Sequence, residues 1–139
     1  MNGQSTPIEL ARKVVGLAMK VHSKLGPGFV EVVYQNALIF ELRKAHFSVE
    51  CQHPLKVKYE ETVVGEFTAD LLVDGTLLVE LKAARAIDPT HETQLMNYLH
   101  ATGLDTGLLL NFGAPSLQFR TKSRQYRKPA EISDPNLMP

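Results

Sequence analysis

Phe67-Thr68-Ala69-Asp70-Leu71-Leu72-Val73-Asp74-Gly75-Thr76-Leu77-Leu78-Val79-Glu80-Leu81-Lys82 reads as two short strands joined by a tight turn. Side chains alternate faces along a strand. Residues 67, 69, 71, 73, 77, 79 and 81 are apolar, so the odd positions predict one apolar face. The even positions carry Asp70, Glu80 and Lys82, with Thr68, Leu72, Thr76 and Leu78 between them. A two-residue type I′ loop at Asp74-Gly75 would set Asp70 and Glu80 on opposite faces and mismatch the apolar rows. A three-residue loop, Val73 to Gly75, pairs Leu72 with Thr76 and Asp70 with Leu78. Glu80 then lies diagonal to Asp70 on the same face, about 7–8 Å away. Core coherence and acid clustering choose the same register.

Two carboxylates beside an ammonium suit a hard divalent cation and a hydrolytic water. The acids offer oxygen ligands to Mg²⁺, which keeps several of its waters. Such a cation lowers the pKa of a bound water and stabilises charge on a phosphate oxygen. Lys82 points the same way as Glu80 and can orient the water or help deprotonate it. The competing account is a solvated hairpin face with a Glu–Lys pair.

The length of 139 residues fits one domain with a single core. No apolar run approaches the ~18–20 residues of a membrane span. The start, Met1-Asn2-Gly3-Gln4-Ser5, lacks the regions of a signal peptide. No membrane partner is expected. The lone Cys51 excludes an intramolecular disulfide, suits a reducing cytoplasm and reads as a small packing residue. Fifteen basic and fifteen acidic residues cancel, which counts against tight non-specific nucleic-acid binding. Arg120 to Lys128 nonetheless holds five cations and no acid. That strip, with Arg120, Lys122 and Arg124, either follows a phosphate backbone or is a solvated segment.

Around the hairpin the pattern is mostly helical. Thr6-Pro7-Ile8-Glu9 is a capping box with proline at the first helical position. Apolar residues from Ile8 to Leu25 then recur at helical spacing. His22 near the helix end reads as partly exposed. Gly26-Pro27-Gly28 breaks that helix, and a second runs from Val30 to Ala45. Glu31 sits in its first turn, where the helix dipole alone favours an acid. Leu55, Val57 and Tyr59 alternate with lysines as in a half-buried strand. Gly65 marks a bend or bulge in the strand Thr62–Val73. Arg85 falls in the connector after Lys82, exposed or near the acids. A third helix spans Asp88 to Gly103. Its Gln94 can reach the hairpin, either for chemistry or as a structural hydrogen bond. Residues 107–112 and 117–120 read as two more strands, and 129–139 as a flexible C-terminal tail. The order ααβββαββ, with a strand–helix–strand crossover that makes two strands parallel, predicts an α/β fold: a mixed sheet flanked by helices.

Several of these stretches resemble a known family. Gly28-Phe29-Val30-Glu31-Val32-Val33-Tyr34 fits the pattern that names the GxxExxY proteins. Asp70 and Glu80-Leu81-Lys82 resemble the acid and E-x-K elements of the PD-(D/E)XK nuclease superfamily, although Ala69 replaces its proline. His91 to Leu99, with Gln94, resembles the helix that follows, and Asn111-Phe112-Gly113 is also similar. The resemblance covers about residues 8 to 122. It implies a restriction-endonuclease-like core, one nuclease-like domain over residues 1–128, and Mg²⁺ (or Mn²⁺) at Asp70 and Glu80. The Leu81 carbonyl and Glu31 would complete the metal's shell, while Lys82 and Gln94 serve the water. Tyr34, Arg85, Arg120, Lys122 and Arg124 are the candidate substrate contacts. The expected function is hydrolysis of phosphodiester bonds in DNA or RNA. The alternatives are a non-catalytic nucleic-acid- or protein-binding module on the same fold, and a subunit of a homodimer or larger assembly.

Overall fold

Local chemistry starts and stops the helices where the sequence marks them. The computed structural model describes residues 6–124, so the expected tail and the basic residues Arg127 and Lys128 lie outside the described residues. The Thr6 hydroxyl accepts from Glu9 N at 3.1 Å, and the Glu9 carboxylate accepts from Thr6 N at 3.0 Å, which opens α1 (Pro7–Leu25). Helix α2 covers Glu31–Lys44. Asp88 accepts from Thr90 N at 2.8 Å and Gly103 closes the end in the left-handed region, so α3 is Pro89–Thr102. The strands are β1 (Val49–Tyr59), β2 (Thr62–Val73), β3 (Leu77–Lys82), β4 (Thr106–Asn111) and β5 (Gln118–Ser123). The ααβββαββ order is the expected one. Among the described residues no helix is long and apolar enough to cross a membrane.

One five-stranded sheet runs β1-β2-β3-β4-β5. β3 and β4 are parallel, joined through α3, and the other neighbours are antiparallel. Helices α1 and α2 cover one face: Val14, Ala18, Tyr34 and Leu38 pack with Leu71, Val79, Leu81, Leu110 and Phe112. Helix α3 covers the other: Leu95, Tyr98 and Leu99 pack with Leu55, Ala69, Leu72, Leu78 and Leu109. Gly107 is bare because a Cβ there would meet Leu95 Cδ1 at 2.8 Å, and so α3 lies close on β4.

The apolar row of odd positions is not one face. Leu71, Val73, Leu77, Val79 and Leu81 face α1 and α2, whereas Ala69 packs with the α3 residues and the Phe67 ring lies tilted against that of Tyr98. The row changes sides at Asp70. There the β1–β2 ladder skips the opposed pair Gln52 and Asp70, and Gln52 takes φ 55°. A left-handed residue in a strand turns the chain out of its pleat, and the alternation restarts with the opposite sense.

The hairpin register also differs from expectation by one step. Val73 pairs with Leu77, Leu72 with Leu78 and Leu71 with Val79. The loop has three residues, as expected, but they are Asp74, Gly75 and Thr76. Asp74 decides this by adopting φ 51°, a conformation short polar side chains tolerate. Its carboxylate accepts from Ser48 N at 2.9 Å, and its own N–H donates to Ser48 O at 2.9 Å. The tie to the residue before β1 moves the turn one residue along. Same-face placement of Asp70 and Glu80 survives because the loop length stays odd.

Three smaller expectations need correction. Only Leu55 of the β1 alternation is buried; Tyr59 and Val57 are exposed, because the β1–β2 hairpin runs past the end of β3. His22 is buried, with Nε2 2.9 Å from the Ala114 carbonyl oxygen. Cys51 is exposed and accepts from Gln35 Nε2 at 3.2 Å, so it is not a packing residue. The expected irregularity at Gly65 is present: Val57 pairs with Gly65 and Lys58 with Val63, which leaves Val64 as the bulged residue.

Candidate active site

The β2–β3 ladder ends at Leu71 and Val79, so Asp70 and Glu80 are the next opposed pair, just where the strands part. Parting strands orphan backbone donors, and orphaned donors need partners. The two acids supply them reciprocally. Asp70 N donates to Glu80 Oε2 at 2.8 Å, and Leu81 N donates to Asp70 Oδ2 at 2.8 Å. The two carboxylates are thereby drawn across the gap toward each other. They sit directly opposite rather than diagonally, which is the consequence of the one-step register shift.

Burial gives the pair its electrostatic character. Glu80 is only 5% exposed. Removal from water, then the negative charge of Asp70, push its carboxyl up to about 8, and the Lys82 ammonium partly opposes this. Its own burial, then the negative charges of Glu80 and Asp70, raise the Tyr98 phenol on α3. A site built this way favours a positive charge between the carboxylates.

Lys82 follows Glu80 on the same face, and its Nζ donates to Gln94 Oε1 of α3 at 3.1 Å. The connector after Lys82 is held by side chains rather than by regular structure. Asn111 Oδ1 accepts from Ala84 N at 2.8 Å and Gly113 N at 3.2 Å, and Asn111 Nδ2 donates to Gln118 Oε1 at 2.9 Å. Gln118 Oε1 also accepts from Ile87 N at 3.1 Å. A Cβ on Gly113 would overlap the Ala84 backbone. The Asn111-Phe112-Gly113 stretch therefore anchors the loop that leaves the acid pair. Arg85 lies exposed in that loop.

Glu31 is the exposed first residue of α2. One turn later, Gln35 accepts from Gln52 Nε2 at 3.4 Å, which ties α2 to β1. Glu31 does not join the acid pair: among the described residues no three of His, Cys, Asp and Glu form a metal-binding group. The Leu81 side chain is in the core and its peptide touches Asp70. Arg120 is exposed on β5. Lys122 is ion-paired with Glu92 and Arg124 with Asp105, so both clamp β5 to its neighbours.

Tyr34 as a substrate contact is a correction. It is fully buried, its ring stacked on Phe112 at 4.7 Å. Its hydroxyl donates to Gly26 O at 2.5 Å and accepts from Phe29 N at 3.1 Å. Gly28 holds φ 119°, open only to glycine. The glycine and the tyrosine of the Gly28–Tyr34 pattern thus build the loop that launches α2. Tyr34→Phe keeps the stack but orphans Gly26 O and Phe29 N. It should lower stability by about 1–3 kcal/mol, read as a shift of the urea midpoint at unchanged m-value.

Beside the acid pair lies a groove of about 1050 Å³ that the sequence reading did not anticipate. It runs between α3 and the overhanging part of the β1–β2 hairpin, and both Gln94 and Tyr98 line it. Its signal in the sequence is a polar row on α3 at spacings of three and four, Thr90, Thr93, Asn97 and His100.

No curated protein matches the chain significantly. Among solved structures, the crystal structure of SSO0001 is similar with a TM-score of 0.56 and 15% identity, over 76% of this chain and 56% of that one. The chain thus spans little more than half the length of that protein, and the likeness is one of fold. An alkaline exonuclease (LHK-Exo) from Laribacter hongkongensis aligns with a TM-score of 0.49 and 12% identity, over 96% of this chain and 76% of that one. Residues 8–124, which hold all eight elements but for the first residue of α1, match the family model of the PD-(D/E)XK nucleases. With that match over most of its length, the chain belongs to the PD-(D/E)XK nuclease superfamily.

Proposed function

We propose that this chain is a divalent-metal-dependent nuclease that hydrolyses phosphodiester bonds in nucleic acid. The observation that carries the reading is the direct opposition of Asp70 and Glu80 where β2 and β3 part, with Lys82 on the same face. The donor set fits Mg²⁺ or Mn²⁺. Mg²⁺ is commonly held by one or two carboxylates plus waters and substrate phosphates, not by an all-protein cage. Asp70 and Glu80 would hold it, with the Leu81 carbonyl as a third protein ligand. When bound, the cation supplies charge stabilisation at the phosphate and acidifies water.

The chain's own residues do the rest. Asp70 and Glu80 are fixed by backbone donors, so no reorganisation is needed to converge them. Lys82 brings a positive charge to the same face and can donate to the attacking water or to a phosphate oxygen. Gln94 holds the Lys82 ammonium in place through its Oε1 and leaves its own amide N–H groups to orient water.

The test is cleavage of labelled single-stranded DNA, duplex DNA and RNA in Mg²⁺ or Mn²⁺, alongside calorimetric titration of Mn²⁺. The expected results are cleavage that EDTA abolishes and one Mn²⁺-binding event that Asp70→Ala removes. Absence of both Mn²⁺ binding and cleavage would overturn the reading.

A further inference from the structure

We propose that the groove between α3 and the β1–β2 hairpin is the track for a single-stranded nucleic acid, with Phe67 as the platform on which a base stacks. The inference rests on the nuclease reading and names its substrate class. Three observations carry it. The first is charge. The chain as a whole is neutral, but Lys56 and Lys58 line the groove and no Asp or Glu does among the described residues. Glu66, opposite Lys56 in the ladder, is not part of the lining. Neither lysine has an acid partner among the described residues, in contrast to Lys122 of β5 and Arg124 just after it. A polyanion is the complement of such a wall.

The second is an aromatic surface left uncovered. Phe67 is 47% exposed although it sits in a strand beside the core, and its ring lies 5.8 Å from that of Tyr98 at 38°. A half-exposed ring on a groove floor offers a π-face to a base. Bases in a duplex are stacked on each other and cannot use it; an unpaired base can. Opposite the lysines, Thr93, Asn97 and His100 of α3 present hydrogen-bonding groups to bases or sugars.

The third is continuity with the acid pair. Gln94 lines the groove and holds Lys82; Tyr98 lines it and packs in one cluster with Ala69, the residue before Asp70. A strand in the groove therefore runs up to the acids. The volume of about 1050 Å³ is at or above the ~300–1,000 Å³ of small-molecule sites, which leaves room for a chain.

The experiment is fluorescence anisotropy with the full chain in EDTA, where no cleavage occurs, using labelled oligothymidylate, oligouridylate and a DNA duplex of equal length. At least one single strand should bind at least tenfold tighter than the duplex, and the two single-strand arms tell DNA from RNA. Phe67→Ala should weaken that binding about tenfold, the worth of one stacked base, while Phe67→Tyr retains it. Lys56→Ala with Lys58→Ala should lower the slope of log K against log salt by about 1.4. Duplex binding as tight as single-strand binding, or unchanged affinity in folded Phe67→Ala, overturns the track. If Phe67→Ala does not fold, the lysine pair decides, and an unchanged salt slope overturns it. Failure of the nuclease reading looks different: single strands bind in EDTA, yet Mn²⁺ does not bind and nothing is cut.

Discussion

Glu80→Ala should reduce metal-dependent cleavage by at least ~10³-fold while leaving the protein folded. A metal's stabilisation of transition-state charge amounts to several kcal/mol, and each 1.36 kcal/mol is a factor of ten in rate. In the variant Asp70 keeps its bond from Leu81 N but faces no second carboxylate. One acid cannot clamp a hydrated cation that two hold, so the loss falls on metal binding and on turnover together. Glu80→Gln separates charge from shape. The amide keeps an oxygen to accept from Asp70 N, so the parting of β2 and β3 is preserved, yet it offers the metal no charge. Both variants should therefore lose cleavage and Mn²⁺ affinity, with their circular dichroism unchanged. Cleavage that persists in Glu80→Gln at its original rate would remove Glu80 from the mechanism. Lys82→Ala offers a contrast, since it should leave Mn²⁺ binding intact and lower the rate alone.

The convergence of the two acids could be read in the sequence because it depends only on parity. Any odd loop between Val73 and Leu77 places Asp70 and Glu80 on one face, and the apolar rows demand an odd loop. Whether the acids stand diagonal or directly opposite could not be read. That choice belongs to Asp74, which bonds Ser48, 26 residues earlier in the chain. The side change of the apolar row at Asp70 was equally hidden, because it follows from the left-handed Gln52 on the neighbouring strand. Helix ends were legible, since Thr6, Asp88 and Gly103 act on residues three or four away. Tyr34 was misjudged for the opposite reason. An aromatic three residues after an acid says nothing of Phe112, whose ring buries it. The groove needed two distant facts together, the polar row on α3 and the overhang of the β1–β2 hairpin past β3. Local spacing carries the first, and only the sheet register carries the second.

The metal-free protein should lose stability as pH rises from about 5 to about 8, and Glu80 should be the cause. Its carboxyl titrates near 8 in the fold, against 4.5 for an ordinary glutamate, because it is buried beside Asp70. Between those values the folded state holds a proton that the unfolded state has released. Stability therefore falls with pH across that window, by up to ~1.4 kcal/mol per pH unit. The other shifted carboxyls act elsewhere. Hydrogen bonds from Lys20, from the Thr90 backbone and from Lys122 hold Glu41, Asp88 and Glu92 below the ordinary range. Their small contributions disappear only on acidification below that range. In EDTA, the melting temperature of the wild type should drop between pH 5.5 and pH 8, and Glu80→Gln should flatten the curve. A divalent cation replaces the proton and should reverse the trend. Mg²⁺ or Mn²⁺ at 100 times its dissociation constant adds about 2.7 kcal/mol, and this gain should grow with pH as the carboxylate ionises. A melting temperature that stays level or climbs over this range in EDTA, or an equal slope in Glu80→Gln, would mean that the buried acid is charged without a cation. The acid pair would then be a structural clamp on β2 and β3, and the case for a metal between its carboxylates would fall with it.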